Sequence, residues 1–237
     1  MIHTLKMPIK ETDLNEVGAL KPASILYYAQ EAAGAHAVAL GTGWEELQKK
    51  HLFWAVIRTK AEVFEKPTGN EITVKTWPMP TSRTAYPRCV EGYDGDKLLF
   101  KVLSLWVLMD TETRAMVLPG KSGVPVTGTV VGTEPTMPRS LPVTESAQVL
   151  NKTVETIHLD RNGHMNNTRY MDWVMELLST EKTVKGFELC YLNESRLGEC
   201  MELGYTQEEH TLTVNIHRRR TDVTDKKDRI FAAVVQF

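Results

Sequence analysis

One run of elements occurs twice along this chain, and the repetition limits the folds open to it. A strand, a long helix and an antiparallel meander come first, and the same order returns downstream. Asp13-Leu14-Asn15-Glu16-Val17-Gly18 stands just before the first helix, and Asp160-Arg161-Asn162-Gly163-His164-Met165 just before the second. Asp and Asn favour any turn that opens a helix, so the short D-x-N match alone fits coincidence as well as duplication. The matching order of elements favours duplication. In this alignment Val17 stands where the second copy has His164. An apolar side chain transfers no proton, so chemistry is expected in the second half.

Between the copies the composition changes. Pro119, Pro125, Pro135, Pro138 and Pro142 alternate with Gly120, Gly123, Gly128 and Gly132. So long a structureless loop inside one domain is unusual, and the segment reads as a crossing between two domains. The expected division is 1–118, a linker over 119–144, and 145–237. In the first half, Leu26, Ala29, Ala33, Ala37 and Leu40 recur at helical spacing within residues 21–40, with Gly41 and Gly43 as the stop. A short helix is expected over residues 44–50. Strand-like runs follow over residues 52–65, 71–77, 84–93 and 97–109. Asp94-Gly95-Asp96 joins the last two as a hairpin. The run at residues 98–108 is apolar on both faces, as in a central strand. In the second half a strand is expected over residues 149–158 and a helix over about 165–178. Further strands are expected over 183–192, 200–206, 211–217 and 229–237.

The bulk numbers exclude several classes. With 237 residues, 42% apolar and 24% charged, the chain is an ordinary globular one. A net charge of −2 gives no field that favours nucleic acid or an anionic membrane. Cys89, Cys190 and Cys200 are odd in number and lack CxxC spacing, so neither a disulfide framework nor a zinc cluster is supported. No run is long and apolar enough for a signal peptide or a membrane span, so the cytoplasm is the expected compartment.

The densest polar group is Asp160, Asn162, His164, Asn166 and Asn167, at the start of a helix. Free N–H groups and the helix dipole suit a helix N-terminus to a developing oxyanion, and histidine carries protons near neutral pH. A polar turn with capping side chains is the bland alternative. Glu194, at the end of the run Phe187-Glu188-Leu189-Cys190-Tyr191-Leu192-Asn193, is the candidate second acid. A hairpin-turn carboxylate is its alternative. The three cysteines lie in apolar runs and are expected to pack. His36 reads as a core or interface histidine, and Trp54, Trp77 and Trp106 suit sheet packing or the wall of an apolar tunnel. Arg218-Arg219-Arg220 with Lys226, Lys227 and Arg229 is a basic cluster, either a solvated face or a contact for an acidic protein.

These residues carry a resemblance. Asp160-Arg161-Asn162-Gly163-His164-Met165-Asn166-Asn167, with Tyr170 and Trp173, resembles the D-x-N-x-H-x-N-N stretch of plant and bacterial acyl-acyl-carrier-protein (acyl-ACP) thioesterases. Tyr191-Leu192-Asn193-Glu194-Ser195 resembles their Y-x-x-E-C segment, with Ser195 in place of the Cys of many plant members. Trp54-Ala55-Val56-Ile57-Arg58, Val74-Lys75-Thr76-Trp77, Ser82-Arg83, the run Ser104 to Asp110 and Thr113-Arg114 resemble the family's substrate-side half. The resemblance implies an α+β double hotdog, two antiparallel sheets each wrapped round a long helix. It implies hydrolysis of fatty acyl-ACP by Asp160, Asn162, His164 and Glu194, with acyl carrier protein as partner and a homodimer as a further option.

On that reading Glu194 is the general base on water. Asn162 and His164 orient water and carbonyl, and Asp160 holds the set. Backbone N–H groups of Met165, Asn166 and Asn167 are the oxyanion candidates. Ile25, Leu26, Ala29, Ala33 and Trp54 are expected to line the acyl pocket. No role requires a metal or an organic cofactor. The rivals are an acyl-CoA thioesterase of the same fold, a hydroxyacyl dehydratase and a non-enzymatic acyl-thioester binder.

Overall fold

In the first half β1 (His3–Pro8) leads to α1 (Pro22–Ala39) and α2 (Trp44–Gln48). Then come β2 (Leu52–Val63), β3 (Glu71–Pro78), β4 (Tyr86–Asp94), β5 (Lys97–Asp110) and the short β6 (Met116–Val117). In the second half β7 (Gln148–Thr153) leads to α3 (Asn167–Met175). There follow β8 (Gly186–Tyr191), β9 (Cys200–Gln207), β10 (Thr211–Arg218) and β11 (Asp228–Gln236). This is a computed structural model, and it describes residues 2–160, 162–179, 182–219 and 228–237. Its two compact units are Met1–Pro138 and Arg139–Phe237.

The strand orders are the same in the two units. The first runs β1-β3-β4-β5-β2, with β6 on β5, and the second runs β7-β9-β10-β11-β8. All pairings within each unit are antiparallel. In the first unit β5 is buried on both faces, with Leu99, Phe100, Leu103 and Leu108 fully enclosed. Its hairpin with β4 closes at Asp94 and Lys97 around Gly95, whose φ of +58° suits glycine. Pro22 opens α1 at its first turn and Gly41, at φ +67°, ends it. Ile25, Leu26, Ala29, Ala32 and Ala33 are buried where α1 packs on β1, β3 and β4. Alanines at that contact let helix and sheet approach closely.

Several boundaries differ from the expectation; the strand expected over 183–192, for one, spans Gly186–Tyr191. The strand expected over 149–158 stops at Thr153 and becomes a 3-10 turn at Thr156–His158, because the chain turns there toward Asp160. The second helix is Asn167–Met175, shorter at both ends than 165–178. At its start Asn166 caps it, accepting from the Thr168 N–H, so Met165 lies outside. The Pro/Gly-rich stretch is divided between the units. Residues 119–138 go with the first. There the Thr129 N–H donates to the Pro78 carbonyl at 2.9 Å and Trp77 Nε1 to Glu134 at 3.2 Å. Residues 139–144 go with the second, where Arg229 donates to the carbonyls of Leu141 and Pro142 at 2.7 Å each.

Gly128 marks how tightly the first part is applied. A Cβ there would lie 2.0 Å from the carbonyl carbon and oxygen of Met79. Gly128→Ala must therefore lift the segment off the end of β3. The expected loss is about 1–3 kcal/mol of unfolding free energy, read as a lower midpoint in urea. An unchanged midpoint would contradict this packing.

Candidate active site

The site begins with a turn that occurs in both units. In the second, Asp160 Oδ1 accepts from the N–H groups of Asn162 at 2.7 Å and His164 at 3.4 Å. In the first, Asn15 Oδ1 accepts from those of Val17 at 3.2 Å and Ala19 at 2.8 Å. The Asp160 N–H donates to the His164 carbonyl at 2.8 Å, and that of Asn15 to the Ala19 carbonyl at 2.9 Å. Gly163 and Gly18 both take left-handed conformations, at φ +74° and +76°. Bridges Leu159–Met165 and Leu14–Leu20 close the two loops. Asn15 thus corresponds to Asp160 and Ala19 to His164. The sequence alignment set Val17 against His164 and is two residues out of register, because an unrelated Asp precedes Asn15. The first unit still offers no proton carrier at this place, since Ala19 has none.

A second loop is fastened to the turn. Met165 N–H donates to the Ser195 carbonyl at 2.8 Å, and His164 bridges Arg196. These contacts bring His164 Nε2 to 3.3 Å from Glu194 Oε2. The imidazole is 17% exposed and the carboxylate 42% exposed, so the pair is reachable by water. Glu194 lies just past β8, held at its backbone. Arg218 Nη2 donates to the Glu194 carbonyl at 2.6 Å, and Asn193 Nδ2 to the Arg229 carbonyl at 2.9 Å. Asn162 is exposed, and its Nδ2 lies 3.4 Å from Asp160 Oδ2.

Below the pair lies a buried hydroxyl contact. Tyr170 donates to Ser195 Oγ at 2.8 Å, and Ser195 is 0% exposed. Burial pushes the Tyr170 phenol up to about 12, so it keeps its proton and serves as the donor. Its ring stacks on Phe231 at 5.0 Å. The residue after Glu194 therefore points into the core, and its role is to locate the loop. Neither Tyr170 nor Arg218 declares this in the sequence, where one reads as part of an apolar helix face and the other as part of a basic run.

Three further expectations change. Of the N–H groups of Met165, Asn166 and Asn167, the first is taken by Ser195, and the second donates to the His158 carbonyl at 2.8 Å. Asn167, first in α3, keeps an N–H beyond the reach of any intrahelical acceptor, and it remains the oxyanion candidate of the three. Ile25, Leu26, Ala29 and Ala33 are buried on α1. Trp54 instead packs against the cluster of Leu47, Leu52, Tyr86, Leu108 and Val124, which contains none of the four. The basic cluster is not one solvated face. Arg218 Nε makes an ion-pair contact with Glu199 at 3.1 Å, and Arg229 holds residues 141 and 142. Arg219 is exposed, while Arg220, Lys226 and Lys227 lie outside the described residues.

Cys89 and Cys190 are buried, but Cys200 is exposed because it opens β9 beside β7. It borders an open cleft of about 580 Å³ with Asn151, Thr153, His158, Trp173 and Arg219. That cleft contains neither His164 nor Glu194, and the imidazole–carboxylate contact is the stronger guide to chemistry. Among the described residues no group of three or more His, Cys, Asp or Glu is placed to hold a metal ion.

Two units of one topology, with a single polar centre in the second, define a duplicated hotdog protein of the α+β class. Residues 2–118 match the acyl-ACP thioesterase N-terminal domain and residues 143–234 its C-terminal domain. The chain belongs to the acyl-ACP thioesterase family. It is 32% identical to the chloroplastic palmitoyl-acyl carrier protein thioesterase of Gossypium hirsutum, over 68% of this chain and 44% of that one. It is 28% identical to an acyl-[acyl-carrier-protein] hydrolase of Cuphea viscosissima, over 78% of this chain and 50% of that one. It thus spans about half the length of these relatives. A solved acyl-ACP thioesterase from Bacteroides thetaiotaomicron shares the fold with a TM-score of 0.81 at 21% identity, covering 99% of this chain and 97% of that one. The 12:0-ACP thioesterase of Umbellularia californica does so at 0.80 and 21%, covering 99% and 96%.

The Tyr170–Ser195 contact yields a stability test. Ser195→Ala leaves a buried phenol hydroxyl without its acceptor, at a cost of about 1–3 kcal/mol. Tyr170→Phe in that background removes the orphan, so the double variant should be more stable than Ser195→Ala alone. Chemical denaturation of the four proteins in the cycle measures the coupling, and strict additivity would show that the contact carries no energy.

Proposed function

We propose that this protein hydrolyses fatty acyl-ACP thioesters to free fatty acid and holo-ACP in fatty acid biosynthesis. The observation that carries the reading is the 3.3 Å contact between His164 Nε2 and Glu194 Oε2, held on a turn that Asp160 organises. A thioester carbonyl is a good electrophile, because sulfur donates poorly into it and leaves readily as thiolate. One activated water is therefore enough.

In this mechanism Glu194 takes a proton from water as the oxygen attacks the carbonyl carbon. The tetrahedral oxyanion is met by the N–H of Asn167. Collapse breaks the C–S bond, and the proton held by Glu194 passes to the departing thiolate. His164 aligns the Glu194 carboxylate, and Asp160 sets the His164 backbone through its two N–H acceptances. Asn162, whose amide lies beside Asp160, orients the water or carbonyl from the exposed side of the turn. The acyl chain is assigned to the first unit, along the buried face of α1 that carries Ile25, Leu26, Ala29 and Ala33. Each methylene buried there is worth about 0.8 kcal/mol.

General-base catalysis contributes about 10²–10⁴-fold. Glu194→Ala and Asn162→Ala are each expected to lower turnover by at least about 10²-fold in a thiol-release assay on acyl-ACP. Near-normal turnover in both would overturn the assignment. Matched acyl-CoA substrates in the same assay separate carrier-protein selectivity from general thioesterase activity.

The partner is acyl carrier protein, whose acidic surface we assign to the exposed Arg219 and to the basic run of sequence that follows it. Reversing Arg219, Lys226 and Lys227 to Glu should raise KM for the carrier-linked substrate and flatten its salt dependence. An unchanged salt dependence would remove this surface from the reading. The compartment we propose is the cytoplasm. All three cysteines are free thiols, in keeping with a reducing environment, while the plant relatives are chloroplastic.

A further inference from the structure

The inner face of the first unit holds a cation that no carboxylate pairs with among the described residues. Arg88, on β4, donates from Nη1 to His36 Nδ1 on α1 at 3.1 Å and to Thr76 Oγ1 on β3 at 3.2 Å. A guanidinium only donates, so His36 Nδ1 is the acceptor and its ring proton sits on Nε2. His36 is 2% exposed and Thr76 0% exposed, and the His3 ring from β1 stacks on His36 at 5.1 Å. Burial, with Arg88 beside it, brings His36 down to about 4, so the imidazole is neutral at neutral pH. Burial likewise pushes the neighbouring Cys89 thiol up, so it supplies no anion. Among the described residues no Asp or Glu pairs with Arg88.

The guanidinium is itself largely, though not wholly, desolvated. Burial draws it down to about 10, which leaves it charged at neutral pH. A desolvated cation without a counter-charge is costly. Tethering α1 to the sheet needs only one neutral donor, and Nη1 alone makes both contacts. Nε and Nη2 have no partner among the described residues, although Arg88 keeps some exposure. The fork therefore presents two adjacent donors beside His36, which follows the small buried side chains Ala32 and Ala33 by about one turn of α1. Two parallel N–H groups on one guanidinium match a carboxylate.

We propose that Arg88, seated on Thr76 and His36, is a receptor for a carboxylate at the far end of the acyl chain. The substrate class is then acyl-ACP whose chain ends in a carboxylate instead of a methyl group. This rests on the reading that the acyl chain lies along α1 in the first unit. A methyl end at this place would leave the guanidinium dry and unpaired, whereas a carboxylate supplies both acceptors and the missing charge.

The test compares acyl-ACP substrates of equal length ending in methyl, hydroxyl or carboxylate, over a ladder of lengths. The full-length protein is assayed beside its Arg88→Met and Arg88→Lys variants. Calorimetric titration with the free dicarboxylic and monocarboxylic acids runs in parallel. At the best length, kcat/KM for the carboxylate-ended chain should exceed that for the methyl-ended chain by at least about 10-fold. Arg88→Met should cut that ratio by a similar factor, and Arg88→Lys, which keeps the charge but loses the fork, should fall between. If Arg88→Met does not fold, the Lys variant's ratio decides. Equal or better use of methyl-ended or hydroxyl-ended chains by the unaltered protein overturns the proposal, as does a ratio that survives both substitutions. Failure to hydrolyse any thioester defeats the thioesterase reading instead. The calorimetric preference for the dicarboxylic acid, and its loss in the Arg88 variants, then still decides the role of Arg88.

Discussion

The Asp160 carboxylate sets the geometry on which the site depends. By accepting two backbone N–H groups within its own loop, it fixes a turn that glycine at position 163 makes sterically possible. The turn aims the Met165 N–H at the Ser195 carbonyl and lays His164 beside Arg196. Two loops far apart in sequence are joined by backbone contacts, and the His164–Glu194 pair follows from that joining. Surface ion pairs alone seldom hold a geometry, since solvent screening leaves them weak. Here the backbone holds the imidazole and the carboxylate, and their attraction refines a position already imposed.

The same turn in the first unit shows what the chemistry requires beyond a backbone shape. Asn15 repeats the side-chain acceptances, Gly18 repeats the left-handed residue, and the bridge closes over the same span. Ala19 then stands where the imidazole would be. The likeness extends outward. Tyr28 reaches back to Asp13 at 2.6 Å, and in the second unit the Trp173 ring meets His158 at 5.2 Å. Duplication thus preserved the scaffold in both copies while the reactive side chains appear in one. The freed copy carries the longer helix, α1, whose alanines line a buried face.

Much of this was legible in the sequence, for reasons that differ by element. The strands of the first unit were visible because β5 is buried on both faces and its hairpin closes on Asp94-Gly95-Asp96. Residues 160, 164 and 194 were singled out by their chemistry and by the family resemblance of their two segments, since spacing alone did not separate Glu194 from a hairpin-turn carboxylate. The internal register was not, because Asp13 mimics the D-x-N pattern while doing another task, accepting from Lys10 and Tyr28. The loss of the Met165 and Asn166 N–H groups as oxyanion donors was equally hidden. It depends on where the Ser195 and His158 carbonyls lie, and no local pattern encodes a contact between loops. Cys200 looked like a core residue because its neighbours are apolar, yet it opens its strand and stays exposed.

The arginines illustrate how little residue type reveals without partners. Arg218 binds the Glu194 carbonyl and contacts Glu199 and Asp228, so its charge is matched and its fork is used in fastening the site loop. Arg229 uses its fork on the carbonyls of residues 141 and 142 and on Asn215, and so fastens the segment that enters the second unit. Each is a structural tie whose Nη groups point at acceptors the chain supplies, although neither Nε makes a hydrogen bond among the described residues. Arg88 breaks the pattern. One nitrogen serves two neutral acceptors, and the described residues supply no carboxylate partner. Arg229 also meets only neutral acceptors, but it uses both Nη groups on them, whereas Arg88 uses Nη1 alone. The charge left open at Arg88 is therefore better understood as half of an ion pair whose other half arrives with the ligand.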